Sequence, residues 1–565
     1  MALSLPASSL ACSASQSIPA IQGTYDRSPL VGQEVRVIGT VTGDFSARDR
    51  LGGFFIETPP GSAPEENRSR GLFVYAPGHQ VQVGEKVEVS GRVREYHGLT
   101  EISPLYRLKT CPSPAQISPV PLDLATLTPA WLEAHEGMLV QLSGQPTVVD
   151  LSDYQRYGSL LLAPGRQFAP TQSLASGTAA YQHGEAQRRQ QFLLDDGSQQ
   201  TFAGQAPAIV EDKGQLRVGD RVLSATGILD YRFGHWRLQP VTAPHFSRDN
   251  PRPAPPGKAP GTRLRLVSFN LENFFNGDGQ GGGFPTARGA DTEQAYQRQL
   301  ANLRTAIRSL SPDILGAMEL ENDGFGEHSA IADLARALGP QWAYVKPSGL
   351  RSLGTDMITV GLLYRRDRVT PVGQARTLLS GPFSELSRPP LWQRFRVAGD
   401  GTSFAVVVNH LKSRLCRHAE GANRDRHDGQ GCWSASRAQA ARYEVHWLKT
   451  LPTAKGGTLI LGDLNSYARE SSIQAFVSAG YADQVNRFIG PKAYSYVYDG
   501  RSGYLDYALA NSRMARQVGA VAEWHIDADE DPVLVHHRPA SVQPWRASDH
   551  DPLIVDLKRR ASPID

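Results

Sequence analysis

Apolar and polar positions along this chain follow two patterns that change near residue 250. From Gly32 onward they alternate with period two in short runs, EVRVIGTVTGDF, GGFFIETP, GLFVYAP and EKVEVSGRVREYHGLTEI, each closed by glycine, proline or charged turn residues. Such runs predict five short strands and a small barrel. A second β segment, about Gly137 to Pro244, contains VGDRVLSATGIL, an echo of VGEKVEVSGRV in the first. It predicts either an internal repeat or a shared hairpin pattern. The stretch SRDNPRPAPPGKAPGT can continue neither sheet nor helix and reads as an extended linker. Beyond it, strands RLRLVSFN, DILGAMEL, ITVGLLY, FAVVVNHL and TLILGDLN alternate with helices over TEQAYQRQLANLRTAIRSL and SASRAQAARYEVHWLKTL, an α/β or α+β order. Pro312, Gly456 and Gly457 supply the stops.

Length turns these patterns into a multidomain chain, because 565 residues exceed one typical domain several times over. The expected divisions are a tail (1–27), an OB-like domain (28–115), a second OB-like β domain (116–248), a proline-rich linker (249–262) and a catalytic domain (263–560). With 40% hydrophobic residues, 20% charged residues and a net charge of +3, the composition is that of a globular protein without a strongly basic surface. Any nucleic-acid contact must come from local patches. No apolar run is long enough for a membrane helix. The start, MALSLPASSLACSAS, reads as the remnant of a trimmed signal peptide. Cys416 and Cys432 bracket a polar loop, while Cys12 and Cys111 flank the first β module. Of the three connectivities, Cys12–Cys111 with Cys416–Cys432 fits best and implies export; four free thiols in a cytosolic enzyme are the alternative.

Candidate chemistry lies at strand ends. Asn270, Glu319, His410, Asp463 with Asn465, and Asp549 with His550 each follow an apolar run. A lone aspartate there would be a turn former or helix cap. Several strands ending alike predict one shared polar pocket, because buried carboxylates, amides and imidazoles cost several kcal/mol unless paired.

The strings FNLEN, MEL, NHLKS, GDLN, LDYAL and SDHDP, in that order from Phe269 to Pro552, resemble the endonuclease/exonuclease/phosphatase superfamily. DGQGCW, YLDYALANS and WHIDADE resemble its secreted bacterial nuclease clade, which carries an OB-like module in front. Met318 departs from the pattern, standing where the superfamily usually has glutamine. The resemblance implies a four-layer α/β sandwich of the deoxyribonuclease I type. It implies Asn270, Glu319 and Asp549 as ligands of Mg²⁺ or Mn²⁺, since oxygen donors suit these ions. Asp463 would deprotonate the attacking water, Asn465 would hold a phosphate oxygen, and His410 and His550 would contact the phosphate from opposite sides. Asp506 would orient His550, and Asp356 would orient His410.

Asn409, Lys412, Arg414 and Arg437, with Arg417, His418, Arg424, Arg426 and His427 of the insert, are expected to meet a polyanionic backbone, or else to be solvated. The acidic run Asp527–Asp531 is either a structural Ca²⁺ site or a solvated loop. Phe54, Phe55, Phe73, Tyr75 and Tyr96 are either a stacking platform for single strands or core. The implied protein is a monomeric secreted or periplasmic endonuclease acting on DNA, or on RNA as well, without a membrane partner. A sphingomyelinase-type phospholipase shares the core residues, and a non-catalytic DNA-binding matrix protein is the non-enzyme alternative.

Overall fold

The computed structural model describes residues 12–61, 67–112, 114, 116–198, 201, 216–399, 401–532 and 542–558. Most of the signal-peptide expectation lies outside them. Two compact units are present, Met1–Arg166 with Arg189–Asn250, and Gln167–Arg188 with Pro251–Asp565.

In the first unit the period-two runs form a closed barrel in the order Glu34–Phe45, Gly53–Glu57, Gly71–Tyr75, Leu99–Thr110, Lys86–Tyr96. Val35, Val37, Phe54, Ile56, Leu72, Val74, Val87 and Val89 fill it. Phe55 and Phe73 are also fully buried, so three of the five candidate platform aromatics are core, whereas Tyr75 and Tyr96 are exposed. The second β segment is a seven-stranded sheet and does not repeat the closed five-stranded barrel. It is mixed: Val120–Asp123 runs parallel to Leu139–Ser143, and Phe192–Leu194 parallel to His235–Pro240. The echo VGDRVLSATGIL supplies strands Val222–Ser224 and Thr226–Arg232, the latter in an antiparallel hairpin with His235–Pro240. Cys12 is bonded to Cys111 in this unit, and Cys416 to Cys432 in the other.

The second unit is built on two six-stranded sheets. One places Thr262–Phe274 between Ile314–Glu321, parallel to it, and Leu553–Lys558, antiparallel. The other places Thr458–Asp463 between Ser403–His410, parallel, and Asp506–Asn511, antiparallel. Leu266, Ile314, Val360 and Leu362 meet Val406, Val408, Leu459 and Leu461 in one core between the sheets. Close approach is part of that design, since a Cβ at Gly316 would stand 2.9 Å from Val408 Cγ2.

Helix Glu293–Leu310 covers the outer face of the first sheet. Thr292 caps it by accepting from Ala295 N, and Tyr296, Leu303, Ile307 and Leu310 recur at helical spacing on its buried side. Helices Ser434–Thr450 and Ser471–Ser478 pack on the other sheet through Ala440, Ala441, Ile473 and Phe476. Helices, two sheets and helices therefore form four layers. Among the described residues no helix is long and apolar enough to cross a membrane.

The proline-rich linker is not free. From Pro251 it belongs to the catalytic unit, where Trp524 Nε1 donates to Pro253 O (2.9 Å) and Arg265 donates to Pro256 O and Gly257 O (2.7 Å each). Prolines lack the N–H needed for a ladder but still present carbonyls, which these side chains take up.

Candidate active site

The two parallel strand pairs end at the same edge of the sandwich. Sheet register sets His410 beside Asp463 and Asp463 beside Asp506, while Asn270 lies beside Met318, one residue before Glu319. Gly462 makes the first of these alignments possible: its φ is +129°, and a Cβ there would meet Asn409 O at 2.1 Å. Five non-glycine residues at this edge hold positive φ, Glu272 (50°), Asn273 (52°), Glu319 (60°), Asn465 (48°) and Arg546 (50°). Each such conformation costs on the order of 1–3 kcal/mol and persists only where its surroundings enforce it.

The enforcing contacts are polar. Asn270 Nδ2 donates to Glu319 Oε1 (3.3 Å) and lies 3.4 Å from Asp463 Oδ2, while Asn273 N donates to Glu319 Oε2 (3.0 Å). Asn465, expected to hold a phosphate oxygen, instead folds back on Asp463, donating from N to Oδ1 (2.7 Å) and from Nδ2 to Oδ2 (3.2 Å), and Nδ2 also donates to Leu411 O (3.1 Å), so both amide hydrogens are engaged within the protein. Ser548 Oγ donates to Asn270 O (2.7 Å), which brings the Asp549–His550 segment against the Asn270 strand. His550 Nδ1 meets Asp506 Oδ2 at 2.7 Å, and the same carboxylate oxygen accepts from Ser495 Oγ at 2.6 Å. Tyr496 stacks on the His550 ring at 4.5 Å. Nε2 of His550 and of His410 lie 3.9 and 3.4 Å from Asp463 Oδ2, and His410 Nε2 also lies 3.8 Å from Glu319 Oε1.

Electrostatics separate these groups. Burial, then the nearby Asp549, pushes Glu319 above the usual carboxylate range. Burial pushes Asp463 up to about 7 and Glu272 up to about 8 despite the neighbouring His550 and Arg546. His550 loses charge stability to burial, but Asp506 and Asp549 outweigh that and hold it well above the ordinary imidazole value. Burial and the cations Arg388 and His550 push His410 well below it. One imidazole is thus prepared as a cation and the other as a neutral ring.

Several expected roles are corrected. Asp356 does not hold His410: it pairs with Arg388 (3.0 Å) and Arg288 (3.4 Å), and His410 Nδ1 is buried without a hydrogen-bond partner among the described residues. Asn409 faces inward, donating to the buried Glu444 (2.9 Å). Arg437 is fully buried, its guanidinium donating to Ser466 Oγ and to the carbonyls of Cys432 and Gln430. Arg414 is taken by Glu470 and lies over the Tyr467 ring. These residues build the loop and do not reach out from it. Lys412 is half-buried over Trp433, while Arg417, His418, Arg424, Arg426 and His427 are exposed.

Much of the acidic run is taken up by protein donors, although Asp527 Oδ2 is buried without a hydrogen-bond partner among the described residues. Asp527 accepts from Ala547 N, Asp529 from Tyr494 Oη, and Glu530 from Arg252 in two bonds of 2.7 Å. Among the described residues no three His, Cys, Asp or Glu side chains of this run close around one point.

Sequence reasoning missed Arg388, which opens strand Arg388–Val397 and donates to Leu411 O (3.0 Å). Its charge acts on Glu319, His410 and Lys412 together. It also missed Glu272, Arg546, Ser495 and Tyr496. Glu272 lies inside FNLEN and Arg546 just before SDHDP, so proximity to the strings was the available signal.

The donor set fits a hard divalent ion. Glu319, Asp549 and Asn270 offer oxygen ligands in a pocket where burial and crowding hold Glu319 above the usual carboxylate range despite the cations Arg388 and His550. Among the described residues no three His, Cys, Asp or Glu side chains close around one point, so water and substrate would supply the remaining positions.

A family model described as Endonuclease/Exonuclease/phosphatase family matches residues 267–550, half of the chain. The chain belongs to the endonuclease/exonuclease/phosphatase family. This family hydrolyses phosphodiester or phosphate esters. A second model, a domain of unknown function (DUF8508), matches residues 108–249. No curated protein matches the chain. Similar solved structures include the catalytic domain of human Nocturnin with bound sulfate, at 14% identity, covering 54% of this chain and 95% of that one, TM-score 0.35. D. rerio TDP2 complexed with a single-strand DNA product is 15% identical, covering 52% and 98%, TM-score 0.34. An AP endonuclease from Archaeoglobus fulgidus is 16% identical, covering 52% and 99%, TM-score 0.32.

Proposed function

We propose that this member of the endonuclease/exonuclease/phosphatase family is an exported, divalent-metal-dependent endonuclease that cuts DNA with little sequence preference. The observation that carries the reading is the meeting of Asn270 and Glu319 from one sheet with His410, Asp463 and His550 around a single pocket. Hydrolysis of a phosphodiester builds negative charge on the phosphoryl and leaving oxygens, so donors and cations must surround the phosphate. A divalent ion held by Glu319, Asp549 and Asn270 would supply positive charge to a phosphoryl oxygen.

The side chains do the rest. Asp463 takes the proton of the attacking water, and Asn465 fixes that carboxylate at both oxygens. His550, fixed through Nδ1 by Asp506, offers Nε2–H to the phosphate or its leaving oxygen. Neutral His410 approaches from the other side, backed by Arg388. Around them Lys412, Arg388, Arg288 and the exposed arginines of the 416–432 loop favour a substrate with further phosphates, as a nucleic-acid backbone has and a choline lipid lacks. The two disulfides support export, and the strand order of the front barrel supports an OB-like module.

The test is cleavage of supercoiled plasmid DNA, single-stranded DNA and RNA with Mg²⁺ or Mn²⁺ against chelator, with sphingomyelin and a phosphate monoester in parallel. Nicking and linearisation that require the ion support the reading. Hydrolysis confined to the lipid or the monoester refutes it.

A further inference from the structure

Residues 167–188 fall inside the span matched by the domain of unknown function, yet they belong to the same compact unit as the catalytic sandwich. Gln167–Phe168 runs parallel to Arg501–Gly503, which pairs with Tyr496–Tyr498, the strand whose Tyr496 stacks on His550. Ala169, Tyr467 and Leu505 form a small buried cluster against which Tyr496 packs. From this strap Gln172 enters the sandwich with 3% of its surface exposed.

Its amide meets three backbone groups. Nε2 donates to Ala493 O (2.7 Å) and Pro491 O (2.8 Å), and Oε1 accepts from Tyr504 N (3.1 Å). Both donors and one acceptor site are thereby used. Ala493 stands two residues before Ser495, and Tyr504 two residues before Asp506. One side chain therefore sets the gap between the two segments whose Ser495 and Asp506 fix His550. The packing leaves little slack, because a Cβ on Gly503 would stand 2.9 Å from Gln172 Oε1 and 2.5 Å from the Tyr467 ring. A second anchor is Thr171, whose hydroxyl donates to Glu470 (2.8 Å), the carboxylate that also holds Arg414.

We propose that Gln172 is a positioning residue for phosphodiester hydrolysis, and that the domain of unknown function thereby contributes to the catalytic centre through its strap. The inference rests on the function proposed above. Gln172 touches no substrate; it acts by holding Ser495 and Asp506 at the separation His550 requires. Displacing a reacting group by about 1 Å costs on the order of 100-fold in rate, so loss of the three hydrogen bonds should lower kcat roughly 10- to 100-fold and leave KM within about twofold.

The experiment compares the full chain with Gln172→Met, which keeps volume without the amide, Gln172→Ala, Ser495→Ala, the Gln172→Met/Ser495→Ala double variant, and Gln182→Ala on the exposed face of the strap. Rates are measured on an oligonucleotide and on a small phosphodiester, with circular dichroism and melting temperature alongside. Expected are a kcat loss for Gln172→Met equal on both substrates, an unchanged Gln182→Ala enzyme, and a double variant no worse than its weaker parent. Wild-type kcat in a folded Gln172→Met protein, additive losses in the double variant, or activity that falls only in step with the folded fraction would overturn the proposal. A wild-type chain inactive on every phosphodiester would instead refute the function proposed above.

Discussion

Replacing Asp506 by asparagine removes one negative charge from beneath His550 while keeping the side-chain shape. The carboxylate is fully buried, and its Oδ2 serves both His550 Nδ1 (2.7 Å) and Ser495 Oγ (2.6 Å). An asparagine turned either way offers these two donors one neutral acceptor at best, or presents an NH₂ to them. A hydrogen bond to a charged group contributes about 1.5–3 kcal/mol. If that stabilisation is expressed only as the imidazole assists the departing oxygen, each 1.36 kcal/mol is tenfold in rate and kcat falls roughly 10- to 150-fold. Asp506 contacts no substrate, so KM should hold within about twofold. Initial rates on a short duplex at saturating Mg²⁺, with circular dichroism to verify folding, read both quantities. A folded Asp506→Asn enzyme within threefold of wild-type kcat, or one whose loss lies entirely in KM, refutes the assigned role.

Other substitutions separate building residues from binding residues. Arg437→Ala empties a buried guanidinium site that donates to Ser466 Oγ and to the carbonyls of Lys412, Cys432 and Gln430 and should cost about 3 kcal/mol of stability, seen as a lower melting temperature of the catalytic unit. Arg424→Ala, on the exposed loop, should leave melting unchanged and reduce the slope of log KM against log salt by roughly one on duplex DNA. Arg388→Ala should lower kcat/KM on an oligonucleotide by more than tenfold and strip Asp356 of a buried partner. In the barrel unit, burial pushes Glu57 from 4.5 up to about 7 although Arg70 lies 3.5 Å away. The folded state thus binds the proton more tightly than the unfolded state, and the stability gained is full below pH 4.5. It is lost by up to about 3 kcal/mol as pH rises through 7; thermal melts across that window should show the decline, and Glu57→Gln should flatten it.

Much of this was legible because periodicity reports burial directly. The strands that carry Asn270, Glu319, His410 and Asp463 and the helices at Glu293–Leu310 and Ser434–Thr450 follow from apolar spacing that a packed sandwich must satisfy. Pairing was not legible. Asp356 and Arg437 carry the charges suited to a site, but whether such a group faces a histidine, an arginine or a ring of carbonyls depends on neighbours far away in sequence. Arg388 gave no signal for the converse reason: it starts an unremarkable apolar strand and becomes important only when sheet register sets it opposite His410. The strap escaped notice because Gln172 is one polar residue in a polar stretch.

The strap also constrains the order in which the chain can become active. Its contacts with Glu470, Ala493 and Tyr504 span 299, 321 and 332 residues. Contacts of such span form late, because a long loop must close before they reward it. During synthesis the strap leaves the ribosome well before any of its partners exists, and His550 emerges later still. Assembly of the candidate site is therefore deferred until nearly the whole polypeptide has been made, so a truncated or stalled product lacks a complete centre.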